Sequence, residues 1–147
     1  MPSKKFFVHN ITIYHTTTRS AVSNFSLKNM TVEEVTNLEV LRMLNADIDN
    51  EETYVVRITF NNVYFRHNKK VNMVDKGLEN GSSGTIYIPT EIDLSKYIET
   101  GDILFEGAIT ERFEDIYDSS DYHSYRIVSI DDNRKGGLQH YKLGVAD

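Results

Sequence analysis

Hydrophobic and polar positions along this 147-residue chain alternate in short runs, most of them four to eight residues long. That period of two is the signature of half-buried strands. Residues 6–14 (FFVHNITIY) put Ile11 and Ile13 on one face and Thr12 and Tyr14 on the other, and predict an opening strand. Residues 54–60 (YVVRITF) give the cleanest alternation, with Tyr54, Val56, Ile58 and Phe60 against Val55, Arg57 and Thr59. Asn61-Asn62 follows, and because asparagine tolerates positive φ it suits a tight turn, after which residues 63–66 are expected to return antiparallel. Further strands are predicted over residues 85–89, where Pro89 lacks the N–H an interior ladder needs, and over 103–105, 108–113, 122–130 and 138–143. In the 122–130 run Tyr125 and Ile127 oppose Arg126, Val128 and Ile130.

One segment reads as a helix. Thr31-Val-Glu-Glu34 has the form of a capping box, with a cap threonine and a glutamate three residues on. Val35, Leu38, Leu41 and Leu44 then recur at every third position as an apolar stripe, so a helix is expected over about residues 31–45. The acidic, turn-rich segment 46–52 should end it. Residues 16–29 carry no period and read as a loop or arm packing through Phe25 and Leu27, and residues 69–84 form a long polar segment of the kind that commonly serves as a contact surface. Residues 90–100 carry Leu94, Tyr97 and Ile98, expected as a helical turn laid over a barrel mouth, and Gly107 marks a bulge or a close backbone approach. Seven or eight short strands with one helix predict a mainly β fold: a small antiparallel β-barrel or sandwich with long loops, one domain spanning residues 1–147.

Composition narrows the function classes. Nine Tyr and seven Phe with no Trp lean toward β-structure. The absence of cysteine excludes disulfides, thiolate metal sites and a cysteine nucleophile. No apolar run reaches signal-peptide or membrane-helix length, so a soluble protein made in the cytoplasm is expected, and the Asn-x-Ser/Thr triplets at Asn10, Asn24, Asn29 and Asn80 then carry no glycosylation meaning. A net charge of −6 argues against tight binding to a phosphate backbone, and Lys69-Lys70 is too short to count as a patch. An acidic surface suits a passage that DNA must traverse without sticking.

Candidate chemistry is thin. His9, His15, His67, His123 and His140 share no metal-ligand spacing and read as structural. Asp115, Asp118, Asp121 and His123 could gather round a hard cation but lack the EF-hand pattern. Glu106 with Glu111, or Asp102 with Glu106, could be drawn as an acid and base pair, yet nothing in their spacing places them in a cleft. Gly81-Ser-Ser-Gly84 lacks the Gly-Lys-Ser/Thr ending of a phosphate loop and precedes a strand. Tyr64-Phe65-Arg66 reads as strand core and edge rather than as a base-stacking platform. No catalytic residue, cofactor or metal site is expected, and the chain does not read as an enzyme.

Three blocks resemble a family of small, largely uncharacterised structural proteins of tailed phages and prophages of Gram-positive bacteria. They are ITIY at 11–14, VDKGL at 74–78 continued through TIYIP at 85–89 and GDILFEG at 101–107, and LQHYKLG at 138–144. Beside shorter members of that family, residues 16–51 look like a helix-bearing insertion, and Tyr141 stands where a Trp is usual. The resemblance implies a neck or connector protein, similar to the head-completion and head-closure barrels that stop the DNA channel. Such a subunit forms a homo-oligomeric ring, a hexamer or dodecamer, between portal or adaptor and tail, and passes genomic DNA without reading its sequence. It would be assembled in the host cytoplasm and reside in the virion neck. The interface candidates on this reading are Val74, Asp75, Lys76, Gly77 and Leu78 in the central block, Val35, Leu38 and Leu41 on the stripe of the inserted helix, and Gln139, His140 and Tyr141 in the C-terminal block. Two other readings stay open: a tail terminator or tail-tube-associated protein, and a carbohydrate-binding β-module using its tyrosines.

Overall fold

Alternation does most of the folding work, and the strands run in chain order as β1 (His9–Thr17), β2 (Phe25–Leu27), β3 (Met30–Glu34), β4 (Tyr54–Asn68), β5 (Asn72–Val74), β6 (Gly77–Glu79), β7 (Ser83–Pro89), β8 (Ile103–Glu106), β9 (Ser124–Asn133) and β10 (His140–Ala146). Two short helices, α1 (Leu38–Met43) and α2 (Phe113–Tyr117), complete the elements among the described residues. The computed structural model describes residues 9–17, 25–46, 52–68, 72–74, 77–79, 83–117 and 122–147. Hydrogen bonding runs in the order β1-β8-β9-β10-β7-β4, and β4 also pairs with β1, so six antiparallel strands close on themselves as a barrel. Closure removes the free edges of those six strands. The β2–β3 hairpin is added along the first half of β4, and β5 pairs with β6 in a small ladder of its own.

The interior is filled by the inward set of each strand. Ile11, Ile13, Val56, Ile58, Phe60, Phe65, Ile86, Ile88, Leu104, Tyr125, Ile127, Tyr141, Leu143 and Val145 form one buried cluster. Leu94 and Ile98 join it from the 90–100 segment, where Tyr97 and Ile98 both donate N–H bonds to the Leu94 carbonyl. The expected helical turn over the barrel mouth is therefore present. A second cluster lies on the opposite face of β1, β4 and β8: Tyr14, Val55, Ile103 and Phe105 pack under Val40 and Leu41 of α1 and Phe113 and Ile116 of α2. Both faces of β1 are thus buried, which is why its apolar and polar positions are equally excluded from water.

Several sequence expectations change. The capping box at Thr31 does not form, because Met30 and Val32 alternate into the interior and residues 30–34 pair with β4 from Met30↔Phe60 to Glu34↔Val56. The helix is only Leu38–Met43, capped by the Asn37 side chain accepting the Val40 N–H at 2.8 Å. Leu27 is 46% exposed and does not pack, whereas Phe25 meets Tyr97 edge to face. Asn61-Asn62 is no hairpin turn: β4 runs straight through it. Against β1, His9↔Val63 and Ile11↔Phe60 set three steps on β4 opposite two on β1, with Asn62 at φ 60°. The positive φ is real, but it serves a bulge that bends β4 and hands its edge from β3 to β7. Residues 108–112 are irregular rather than a strand, and α2 occupies part of the expected acidic loop. A second bulge sits in β9, where Gly144↔Ser129 is followed by Val145↔Ile127, leaving Val128 59% exposed and returning Ile130 to the interior side.

Candidate functional site

Alternation that sends Phe65, Ile86, Ile88, Tyr141 and Leu143 inward leaves Tyr64, Arg66, Tyr87, His140 and Lys142 on the outer wall. Register then lines them up, since Tyr64 pairs with Tyr87, Tyr87 with Lys142 and Lys142 with Asp131. The Tyr64 and Tyr87 rings lie nearly parallel, 19° apart with centroids at 5.9 Å. His9 extends the aromatic strip on one side, 6.0 Å from Tyr64, and His140 on the other, 6.0 Å from Tyr87. The β9–β10 turn completes the site. Tyr64, Arg66, Tyr87 and His140 together with Asp132, Asn133 and residues 135–138 line a cleft of about 740 Å³.

The rim of this cleft is tied to the core. Asp132 accepts from Arg134 Nε and Nη2, both at 2.8 Å, and this paired guanidinium holds its carboxyl at a pKa of about 2. Arg134 also stands over the Tyr141 ring at 5.6 Å. The Tyr141 hydroxyl accepts the Leu94 N–H at 3.1 Å and lies 3.3 Å from Asp132 and 3.4 Å from Asp93, so one side chain links interior, mouth turn and cleft rim. A tryptophan here would keep the ring but could not accept from Leu94, because the indole N–H only donates. His140 Nδ1 lies 2.9 Å from the Leu138 carbonyl, which can only accept; Nδ1 therefore carries the proton and Nε2, 3.4 Å from Asn133 Nδ2, is left as an acceptor in the neutral ring.

Two other polar groupings sit elsewhere. His15 Nδ1 and the Glu99 N–H both lie 2.8 Å from Asp102 Oδ2, and burial pushes the Asp102 carboxyl up despite the His15 bond. His15, Glu99 and Asp102 bring ligand-type atoms within 4.8 Å of one another. That Asp102 oxygen is already engaged twice, so the trio works as a clamp between β1 and the turn that enters β8. A smaller cavity of about 250 Å³ lies against Tyr14, Asn37, Arg57 and residues 110–113. Burial raises the Tyr14 hydroxyl above the usual phenol range, with nearby Arg57 offsetting only part of that, and neither Tyr14 Oη nor Arg57 Nε has a hydrogen-bond partner among the described residues.

The sequence candidates fall in different places. Leu41 and Tyr141 are core residues, and Val35 packs partly buried against the second cluster. Leu38 is 51% exposed. Gln139 is exposed, and its carbonyl accepts from Thr90 N–H at 3.1 Å. Val74, Gly77 and Leu78 belong to β5 and β6, while Asp75 and Lys76 lie outside the described residues. Among the putting-together of acids, Asp118 and Asp121 also lie outside them, and His123 pairs with Asp147 rather than with Asp115. Glu106 pairs with His67 at 3.1 Å and Asp102 with His15. Gly84 is part of β7, where an added Cβ would lie 2.6 Å from Phe65 Cε1. Of the Tyr64-Phe65-Arg66 triplet only Phe65 is core; its neighbours line the cleft.

No curated protein and no solved structure matches the chain. Residues 43–146, from the last residue of α1 through β10, match the family of unknown function DUF6751, and the chain belongs to that family.

Proposed function

We propose that this protein is a structural subunit of a tailed-phage particle, a head-tail connector of the head-completion or head-closure kind, acting by assembly in a ring around the DNA channel. The phage setting comes from the sequence resemblance. The observation that carries the structural half of the reading is the register of β4 through β7. Stepping outward from the Asn68↔Ser83 pair, four positions on each strand reach Asn72↔Glu79, and Val74↔Gly77 closes the series, so the two ladders keep one register. A closed barrel with a separate β5–β6 ladder supports a subunit that carries a contact element of its own, and Val74, Gly77 and Leu78, from the block that carries the resemblance, belong to that ladder.

On this reading the ring is a hexamer or dodecamer, its neighbours are portal or adaptor above and tail below, and its place is the virion neck. Particles produced without the protein test it. The expected result is tailless heads, which lose their DNA through the unstopped channel, beside free tails; supplying the full chain during assembly should restore tailed particles, and a chain lacking residues 69–82 should not. Overlong tails in its absence would instead mark a tail terminator, and normal tailed particles would overturn the reading.

A further inference from the structure

We propose that the cleft on the outer wall of β4, β7 and β10 binds a nucleotide unit, its base stacked on Tyr64 or Tyr87 and its phosphate held by Arg66 and Lys135. A free nucleotide and a nucleotide within a single strand present the same chemistry to this wall. Three observations carry this. Two near-parallel tyrosine rings 5.9 Å apart on one outer row provide π-faces of the kind on which any base stacks. The charge is inverted relative to the chain: the molecule carries −6, yet the charged side chains lining the cleft are Arg66, Lys135 and an Asp132 already taken up by Arg134. A positive recess in an acidic protein selects an anion, and the tyrosines ask for an anion that carries a ring. The third is room: at about 740 Å³ the cleft has the size of a small-ligand site.

The neighbours suit a base edge. His140 Nε2 accepts from the Asn133 amide at 3.4 Å, which leaves that amide its second N–H as a donor and its oxygen as an acceptor. Gly136 and Gly137 face the recess with nothing within 4 Å of where a Cβ would stand, so the turn leaves space on that side. A neutral sugar could lie on the tyrosines but would leave both cations without a task. A duplex needs a broad basic face, which an acidic chain does not supply.

This site does not rest on the neck reading: either can fail while the other stands. The test is fluorescence anisotropy with a short labelled oligothymidylate, and ligand-detected NMR with thymidine monophosphate, on the full chain. Both probes should bind at low salt. Tyr87→Ser should weaken binding on the order of tenfold or more, and Lys135→Gln, on an exposed turn that the barrel does not need, several-fold with a shallower salt dependence. Tighter binding of the oligomer identifies the single strand as the source, and equal binding the free nucleotide. Failure of both probes to bind, affinity unchanged in both variants, or a neutral oligosaccharide that perturbs Tyr87 where nucleotides do not, would overturn the proposal.

Discussion

The barrel has two outer walls built by the same alternation and used in opposite ways. On the β1, β4 and β8 side the outward residues Tyr14, Val55, Ile103 and Phe105 are apolar and covered by α1, α2 and the segment between β8 and α2. On the β4, β7 and β10 side the outward residues Tyr64, Arg66, Tyr87 and His140 are aromatic or cationic and bound a cleft. Strand β4 takes part in both, its first half under the cover and its second half at the cleft, with the Asn62 bulge between. The lesson is that burial of an outward position here marks structure, and an outward aromatic left at a cleft marks a surface available for function.

Substitutions that pit one wall against the other give the largest effects. Phe105 is buried against Tyr14 and Phe113, and Phe105→Ala should cost about 3–5 kcal/mol in urea unfolding. Tyr87→Ala on the open wall should cost less than about 1 kcal/mol, the scale of a cross-strand pair. Equal losses at the two positions would erase the distinction.

The clamp beside the covered wall comes next. Asp102→Ala leaves His15 Nδ1 and the Glu99 N–H without their acceptor in a buried place and should cost about 2–4 kcal/mol. Its pH dependence has a definite sign. Because burial raises the folded Asp102 above its ordinary 3.8, the folded state holds that proton more tightly than the unfolded chain. The resulting stabilisation is fully present below 3.8 and is lost as pH rises through the folded value. Unfolding curves of the protein and of Asp102→Asn should therefore differ progressively across that acid window, and parallel curves would contradict the assignment.

Two tyrosines sharpen the comparison at the low end. Tyr141→Phe removes the acceptor of the buried Leu94 N–H and should cost about 1–3 kcal/mol. Tyr14→Phe removes a buried hydroxyl with no hydrogen-bond partner among the described residues and should change stability by no more than about 0.5 kcal/mol. The reverse order would mean that the Tyr14 hydroxyl, and not Tyr141, is the one the fold relies on.

How much of this was legible in the sequence depends on the range of the interaction. The inward sets of β1 and of the first half of β4 followed from local alternation, and the turn at Leu94 and Ile98 from the apolar residues of the 90–100 segment. The Thr31 capping box was a sound local signal that lost to a distant one, the ladder between Met30–Glu34 and β4. At Asn61-Asn62 the backbone preference was legible but its use was not, because a bulge and a turn differ only in what the neighbouring strand does. The cleft was hidden for the same reason. Tyr64, Tyr87 and His140 are far apart along the chain, and only the β4–β7 and β7–β10 registers put them side by side. The family match begins at Met43 and so omits β1, a strand the barrel needs in order to close.

The most direct test of the central claim is a cryo-electron-microscopy map of tailed particles assembled in cells that produce this protein. The account predicts a closed ring of these barrels between portal and tail, with the β5–β6 ladder of each subunit contacting a neighbour. Density for the barrel in the tail tube or at its end, or a particle from which the protein is missing, would contradict it.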